Sequence, residues 1–308
     1  MYHYIREFDP QIPKLHFLHI DDFKRQLDFL DRKYGFLSRE EFLNSFVNPN
    51  SLKPGVVMTF DDGLIDHYHY VFPELVSRGL WGIFYVPGSI LKTERILTVH
   101  KIHILLARYE SKKILEELNS IIEPSMIDEV MDKKHADKIY LKQESINGDL
   151  EIKRLFNYSI KNEFKDELAD KLFAQFISDE YLFFKRTYMT DKHLKEMSDG
   201  GMIIGSHAMN HHPMVNLSKE GQKNEIIESF RLISSCLAES NPQTFCYPQG
   251  LPHTFNEDTE QLLKERGTLF SFAVESRDIT SSDLFHNEQK LPRYDCNEFK
   301  HGKSFINK

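Results

Sequence analysis

Thr59-Phe60-Asp61-Asp62-Gly63 follows directly on the apolar run Val56-Val57-Met58, so two neighbouring carboxylates and a glycine stand at the end of a buried strand. Burying one carboxylate beside another is costly unless a cation neutralises a member of the pair. An Asp-Asp in that position therefore reads as a metal ligand beside a general base. Matching ligands come later, in Gly205-Ser206-His207-Ala208-Met209-Asn210-His211, again just past an apolar run, Met202-Ile203-Ile204. Two imidazoles four residues apart can converge on one ion. One aspartate and two histidines leave coordination positions open, the arrangement of a catalytic rather than a structural metal site.

Outward from these two groups, short apolar runs alternate with amphipathic stretches. Strands are expected from Val56 to Phe60, Ile83 to Val86, Met202 to Ile204, Phe245 to Tyr247 and Phe270 to Val274. Helical stripes lie between them, Phe23, Leu27, Leu30 and Tyr34 in one and Ile226, Phe230, Ile233 and Leu237 in another, at spacings of three or four. This alternation predicts an α/β fold with a largely parallel sheet. Both candidate ligand groups follow the carboxyl ends of strands, where a (β/α) barrel or an open α/β sheet gathers its chemistry. From about Ser111 to Glu180 the texture changes: Gly148 and Pro124 stand alone, charges of both signs are dense, and strand-like runs vanish. Ile160, Phe164, Leu168, Leu172 and Phe176 recur every fourth residue, giving a helical face that must be covered. We read a single catalytic domain, 1–308, with a helical insertion at about 99–187. That insertion is expected to shape substrate access, to make a subunit contact that supports oligomerisation, or simply to stabilise the fold.

With 308 residues and 40% hydrophobic content, the chain can fill a sizeable core. Its formal charge of -8 offers no broad cationic surface for phosphates, so no nucleic-acid partner is expected. No run approaches the roughly 18 apolar residues of a membrane span, and the start Met1-Tyr2-His3-Tyr4-Ile5-Arg6-Glu7 lacks the basic-then-apolar pattern of a secretory signal. A cytoplasmic, non-membrane-spanning protein is expected. Cys236, Cys246 and Cys296 are odd in number and lack a CxxC, so they read as reduced thiols used in packing. Trp81 reads as a core residue.

The motif TFDDG, the His-x-x-x-His after Gly-Ser, and Phe245-Cys246-Tyr247-Pro248-Gln249-Gly250, in this order and each after a strand, resemble the polysaccharide deacetylase family. This is the NodB-homology group, carbohydrate esterase family 4. The resemblance covers roughly residues 1–98 and 188–300. Tyr2-His3-Tyr4, Leu291-Pro292-Arg293 and Val99-His100-Lys101-Ile102-His103 further resemble members found in surface-glycan assembly. The resemblance implies a distorted (β/α) barrel and hydrolytic removal of an acetyl group from a sugar. It implies that Asp62, His207 and His211 hold a divalent metal, zinc first, with Co2+, Ni2+ or Mn2+ as substitutes. Asp61 becomes the general base toward the attacking water. A backbone N–H in the Tyr247-Pro248 turn is implied as an oxyanion donor, with Tyr247 and Pro248 lining the substrate.

Three departures matter. Position 208 is Ala where many members carry Ser or Thr, removing a hydroxyl that buttresses the histidine loop. The Arg that often precedes the third motif is missing, and Arg293 is our candidate to orient Asp61 in its place. The late Leu-x-His of the family, whose His serves as general acid, is matched in letters by Leu284-Phe285-His286, although the polar stretch from Ser281 to Lys290 reads as loop. His100 and His103, expected on the barrel rim, compete with His286, and His212 is an alternative ligand to His211. The expected activity is metal-dependent N-deacetylation of a small, nucleotide- or lipid-linked sugar in capsule, lipopolysaccharide or glycoconjugate synthesis. Two alternatives stand beside it: hydrolysis of a non-peptide C–N bond in a small metabolite, and glycan binding without turnover.

Overall fold

The computed structural model describes residues 1–128, 147–238 and 240–304. They form two compact units. The first comprises Met1–Glu7, Phe17–Arg95 and the described part of Phe184–Phe305; the second comprises Phe8–His16 and the described part of Ile96–Phe183.

In the first unit, β1 (Ile5–Arg6) and β2 (Leu18–His19) form a short parallel pair. The main sheet holds β3 (Thr59–Phe60), β4 (Ile83–Val86), β5 (Ile203–Ser206), β6 (Thr244–Cys246) and β7 (Phe270–Phe272), all parallel and in chain order. Thr59 pairs with Ile83, Ile83 with Ile203, Ser206 with Phe245, and Cys246 with Phe272. Strand order never reverses, which is the winding of a barrel; a doubly wound sheet turns back at a switch point. Single parallel bridges extend both edges, Tyr2 beside Phe60 and Leu291 beside Phe272. The Cys296 N–H donates to the Met1 carbonyl, tying the two edge segments together. The first unit is thus a distorted (β/α) barrel, a curled half-barrel of five parallel strands.

The strands are shorter than their apolar runs predict. Val56 makes only an isolated bridge to Phe36, and Tyr247 and Val274 lie beyond the last ladder residues of β6 and β7. Tyr247 is buried in the core past its ladder, whereas Val56 and Val274 are half-buried. Conversely, β5 runs on through Gly205 to Ser206, since Gly205 lies against an aromatic ring. A Cβ there would stand 2.4 Å from Tyr85 Cε1. Side chains alternate between two cores, as pleating requires. Ile83, Tyr85, Ile203, Cys246, Phe270 and Phe272 face one core with Phe42 and Leu284, while Phe245 and Tyr247 face the other with Ile226 and Phe230. Trp81 packs against the first core and donates its indole N–H to the Leu37 carbonyl at 2.7 Å. The helical stripes hold for Phe23, Leu27 and Leu30 and for Ile226, Phe230 and Ile233. Their last members do not fit: Tyr34 is exposed, and Leu237 lies past its helix.

The second unit contains helices Thr98–Arg108, Ser111–Ile121, Asn147–Arg154 and Asn162–Phe176. Leu168 and Leu172 of the expected stripe are buried, Phe164 and Phe176 are half-buried, and Ile160 is buried just before the helix begins. Lys101 is buried between the carboxylates of Asp170 and Glu180, so its charge is neutralised twice over. Part of the segment expected to be helical, 129–146, lies outside the described residues. Among the described residues no helix is long and apolar enough to cross a membrane.

Candidate active site

The two aspartates diverge because the chain turns between them. Asp61 is still in sheet register, its N–H donating to the Tyr2 carbonyl, whereas Asp62 at φ +78° and Gly63 at φ +64° adopt left-handed conformations. Aspartate tolerates that region better than most residues, and at Gly63 a Cβ would meet Ile90 Cδ1 at 2.8 Å. Asp61 thereby faces Arg293, and Asp62 faces two imidazoles.

His207 follows β5 with its N–H on the Val86 carbonyl, and its Nδ1 donates to the Cys246 carbonyl at 2.7 Å. That bond fixes the tautomer and leaves the Nε2 lone pair toward Asp62, the usual backing of a metal-binding histidine. His207 Nε2 is 3.5 Å and His211 Nε2 is 3.3 Å from Asp62 Oδ1, and the three ligand atoms lie within 4.8 Å of one another. Donors about 2.1 Å from a tetrahedral zinc ion stand about 3.4 Å apart, so this spacing and this donor set fit a divalent ion of that kind. Burial disfavours charge on His207, but Cys246 and then Asp62 and Asp61 more than offset it, holding the pKa well above the ordinary imidazole value. A field that favours a proton at this place also favours a metal cation.

Asp61 is buried, and burial alone would raise its pKa; the Arg293 guanidinium overturns this and holds the carboxyl well below the usual range. Arg293 donates from Nη1 to Oδ1 and from Nη2 to Oδ2, both at 2.9 Å. It also donates to Thr59 Oγ1 at 2.9 Å and to the Ala273 carbonyl at 3.3 Å. Arg293, the candidate to orient Asp61, thus reaches it from beyond β7. Cys246 completes the cluster, its Sγ 2.9 Å from Arg293 Nη2 and 3.6 Å from Asp61 Oδ2. Asp61, His207 and Cys246 make a second grouping of potential ligand atoms, but the guanidinium already neutralises Asp61 there.

Other expected residues are placed differently. The Tyr247 N–H donates to the Phe272 carbonyl at 3.2 Å and Pro248 has no N–H, so neither supplies the oxyanion donor expected of them. The ring of Tyr247 is stacked on Phe255 and its hydroxyl donates to the Gln289 carbonyl at 2.5 Å, a packing role. His286 is exposed at the end of a short helix, Ser281–His286, where a loop was expected; Leu284 is the residue of that tripeptide buried in the core. His100 and His103 belong to the second unit, on helix Thr98–Arg108, and His100 is fully buried there. The cluster around Asp61 and Asp62 is built of first-unit residues. His212 is half-buried, and the close contacts with Asp62 are made by His207 and His211.

Two residues quoted within the motifs were given no part in the cluster. Cys246 was expected only to pack, yet strand alternation turns its side chain to the Asp61 face. His3 stands one residue beyond Tyr2, which pairs with Phe60, so the register brings it beside Asp61, where its charge is felt.

A parallel (β/α) sheet that gathers carboxylates and imidazoles at its strand ends has the donors to hold a divalent metal ion. Residues 173–270 match the polysaccharide deacetylase family profile. This stretch holds the His207–His211 loop and the third motif; the Asp pair lies upstream of it. The Streptococcus pyogenes deacetylase PplD in complex with acetate matches at TM-score 0.54 and 18% identity, over 95% of this chain and 88% of that one. A de-N-acetylase from Aggregatibacter actinomycetemcomitans matches at TM-score 0.53 and 14% identity, over 95% and 91%. At such identities the likeness speaks for the fold. No curated protein matches the chain. Over residues 173–270 the chain is thus similar to the polysaccharide deacetylase family, and its fold is similar to that of the solved deacetylases.

Proposed function

We propose that the chain is a metal-dependent N-deacetylase that releases acetate from an N-acetylated sugar during surface-glycan synthesis. The carrying observation is the spacing of Asp62 Oδ1 from the Nε2 atoms of His207 and His211, 3.5 Å and 3.3 Å, beside an aspartate held ionised by an arginine. In this reading the chain is one catalytic domain carrying the helical unit as an insertion. It acts in the cytoplasm, on a small or carrier-linked sugar.

Asp62, His207 and His211 would hold the divalent ion, zinc by donor set. When bound, such an ion acts as a Lewis acid on the acetyl carbonyl and brings the pKa of a water from about 15.7 toward 7. Asp61 takes the proton of the attacking water. Arg293 keeps it ionised and aimed, so the carboxylate need not reorganise as the proton moves. The oxyanion donor shifts within the third motif: past the engaged Tyr247 amide and the proline, the next N–H belongs to Gln249, at φ +60°, and no described acceptor takes it. His3, exposed beside Asp61, gives a proton to the departing amine in place of His286. Water adds to the acetyl carbon, the C–N bond breaks, and acetate and a free amino sugar leave.

Metal-loaded protein should release acetate from N-acetylated oligosaccharides or nucleotide-linked N-acetyl sugars. A chelator should stop the release, and added zinc should restore it. Loaded protein that hydrolyses no member of such a panel would overturn the reading. His3→Ala should lower kcat about 100-fold or more with metal content unchanged, while His286→Ala leaves kcat within about twofold. The reverse result would return the acid to position 286.

A further inference from the structure

We infer that Glu225 is the positioning residue of the metal site, locking the turn between His207 and His211 in place of the hydroxyl missing at position 208. The inference rests on the proposed metal site. Helix Lys219–Ser235 turns Gln222, Glu225, Ile226, Ser229, Phe230 and Ile233 toward the interior. A carboxylate on that buried stripe, 8% exposed, needs several donors to be tolerated. It finds three on one turn: the N–H groups of Met209 and Asn210 donate to Oε2 at 2.9 and 2.8 Å, and the Asn210 side-chain amide donates to Oε1 at 2.6 Å.

The same turn is gripped from its other side. The N–H groups of Gly88 and Ser89 donate to the carbonyls of Ala208 and Met209 at 2.9 and 2.8 Å. Within it, Ala208 and His211 both stand at φ +60°, a conformation that neither residue prefers. Left alone, the turn would relax toward ordinary angles and swing His211 away from Asp62. Glu225 opposes this by holding successive amides between the two strained residues, and so sets where His211 Nε2 lies relative to His207. A role in metal positioning predicts that geometry, rather than charge alone, decides the outcome of substitution.

Three variants of the full chain test this, with zinc affinity measured by competition with a chromophoric chelator, beside kcat, KM and Tm. Glu225→Ala and Glu225→Asp, which lose or shorten the reach, should weaken zinc binding about 10- to 100-fold and lower kcat at constant metal concentration. Glu225→Gln can present its oxygen to the two backbone amides and its nitrogen to the turned Asn210 side chain, and should stay within about threefold of the parent. Should Glu225→Ala not fold, the contrast between Asp and Gln still decides. Zinc affinity unchanged in Glu225→Asp, or lost in Glu225→Gln and kept in Glu225→Asp, would overturn the inference. A parent protein that takes no zinc would instead overturn the metal site itself.

Discussion

Asp61→Asn should keep metal and lose turnover by about 100- to 10,000-fold, whereas Asp62→Asn should lose both metal and turnover. The asymmetry follows from one turn of backbone. The left-handed residues at 62 and 63 point neighbouring carboxylates in different directions, one to a guanidinium and the other to two imidazoles. An amide at 61 still accepts hydrogen bonds from Arg293 but cannot take a proton from water. At 62 the amide removes the only anionic member of the three-residue ligand set. Metal content after dialysis and kcat measured on the same samples check both halves. Equal metal loss in the two variants would mean that the division of labour is wrong.

The second large effect belongs to Arg293→Met, which leaves Asp61 buried without its cation. Breaking a buried ion pair by removing one partner costs about 3–5 kcal/mol, and that is the destabilisation expected at pH 7 in chelated protein. The sign with pH follows from the direction of the shift. Asp61 in the parent is held below its unfolded value, so the pair stabilises the fold above about pH 4 and that contribution fades as pH falls toward the depressed folded value. In the variant, burial without the guanidinium pushes the Asp61 pKa up, and protonation relieves the penalty as pH falls. The gap between parent and variant should therefore be widest near pH 7 and shrink toward pH 4.5, as read from urea unfolding at both values. A gap that is constant or grows on acidification would show that Arg293 stabilises by packing against Tyr85 and Phe272 rather than by its charge.

Much of this site was legible because its chemistry hangs on strand ends. Asp61-Asp62 and His207-x-x-x-His211 are each contiguous in the chain, and the apolar runs before them announce strands, so both element and side chain can be read locally. The parallel alternation of β3 to β7 follows from the same runs. Groups assembled by tertiary register were harder to see. Arg293 could be named as a stand-in because a cation beside Asp61 was required, but its bidentate grip depends on the edge segment that follows β7. His3 comes near through the pairing of Tyr2 with Phe60, a single bridge with no periodicity behind it. Glu225 carried a faint signal, a charge on the buried stripe of a helix, with meaning only once its three donors were known. His286 matches the family tripeptide in letters, yet it stands exposed at the end of a short helix that the polar stretch did not announce. The N–H of Tyr247 was assigned a task that the β6–β7 ladder had already taken.

The central claim is a single ion between one aspartate and two histidines, and anomalous scattering at the zinc edge from crystals grown with stoichiometric zinc tests it most directly. One peak per chain, within bonding distance of Asp62 Oδ1 and both Nε2 atoms and absent in Asp62→Asn, is the predicted result. Crystals with no peak there, or with zinc bound only at surface side chains, would contradict the account.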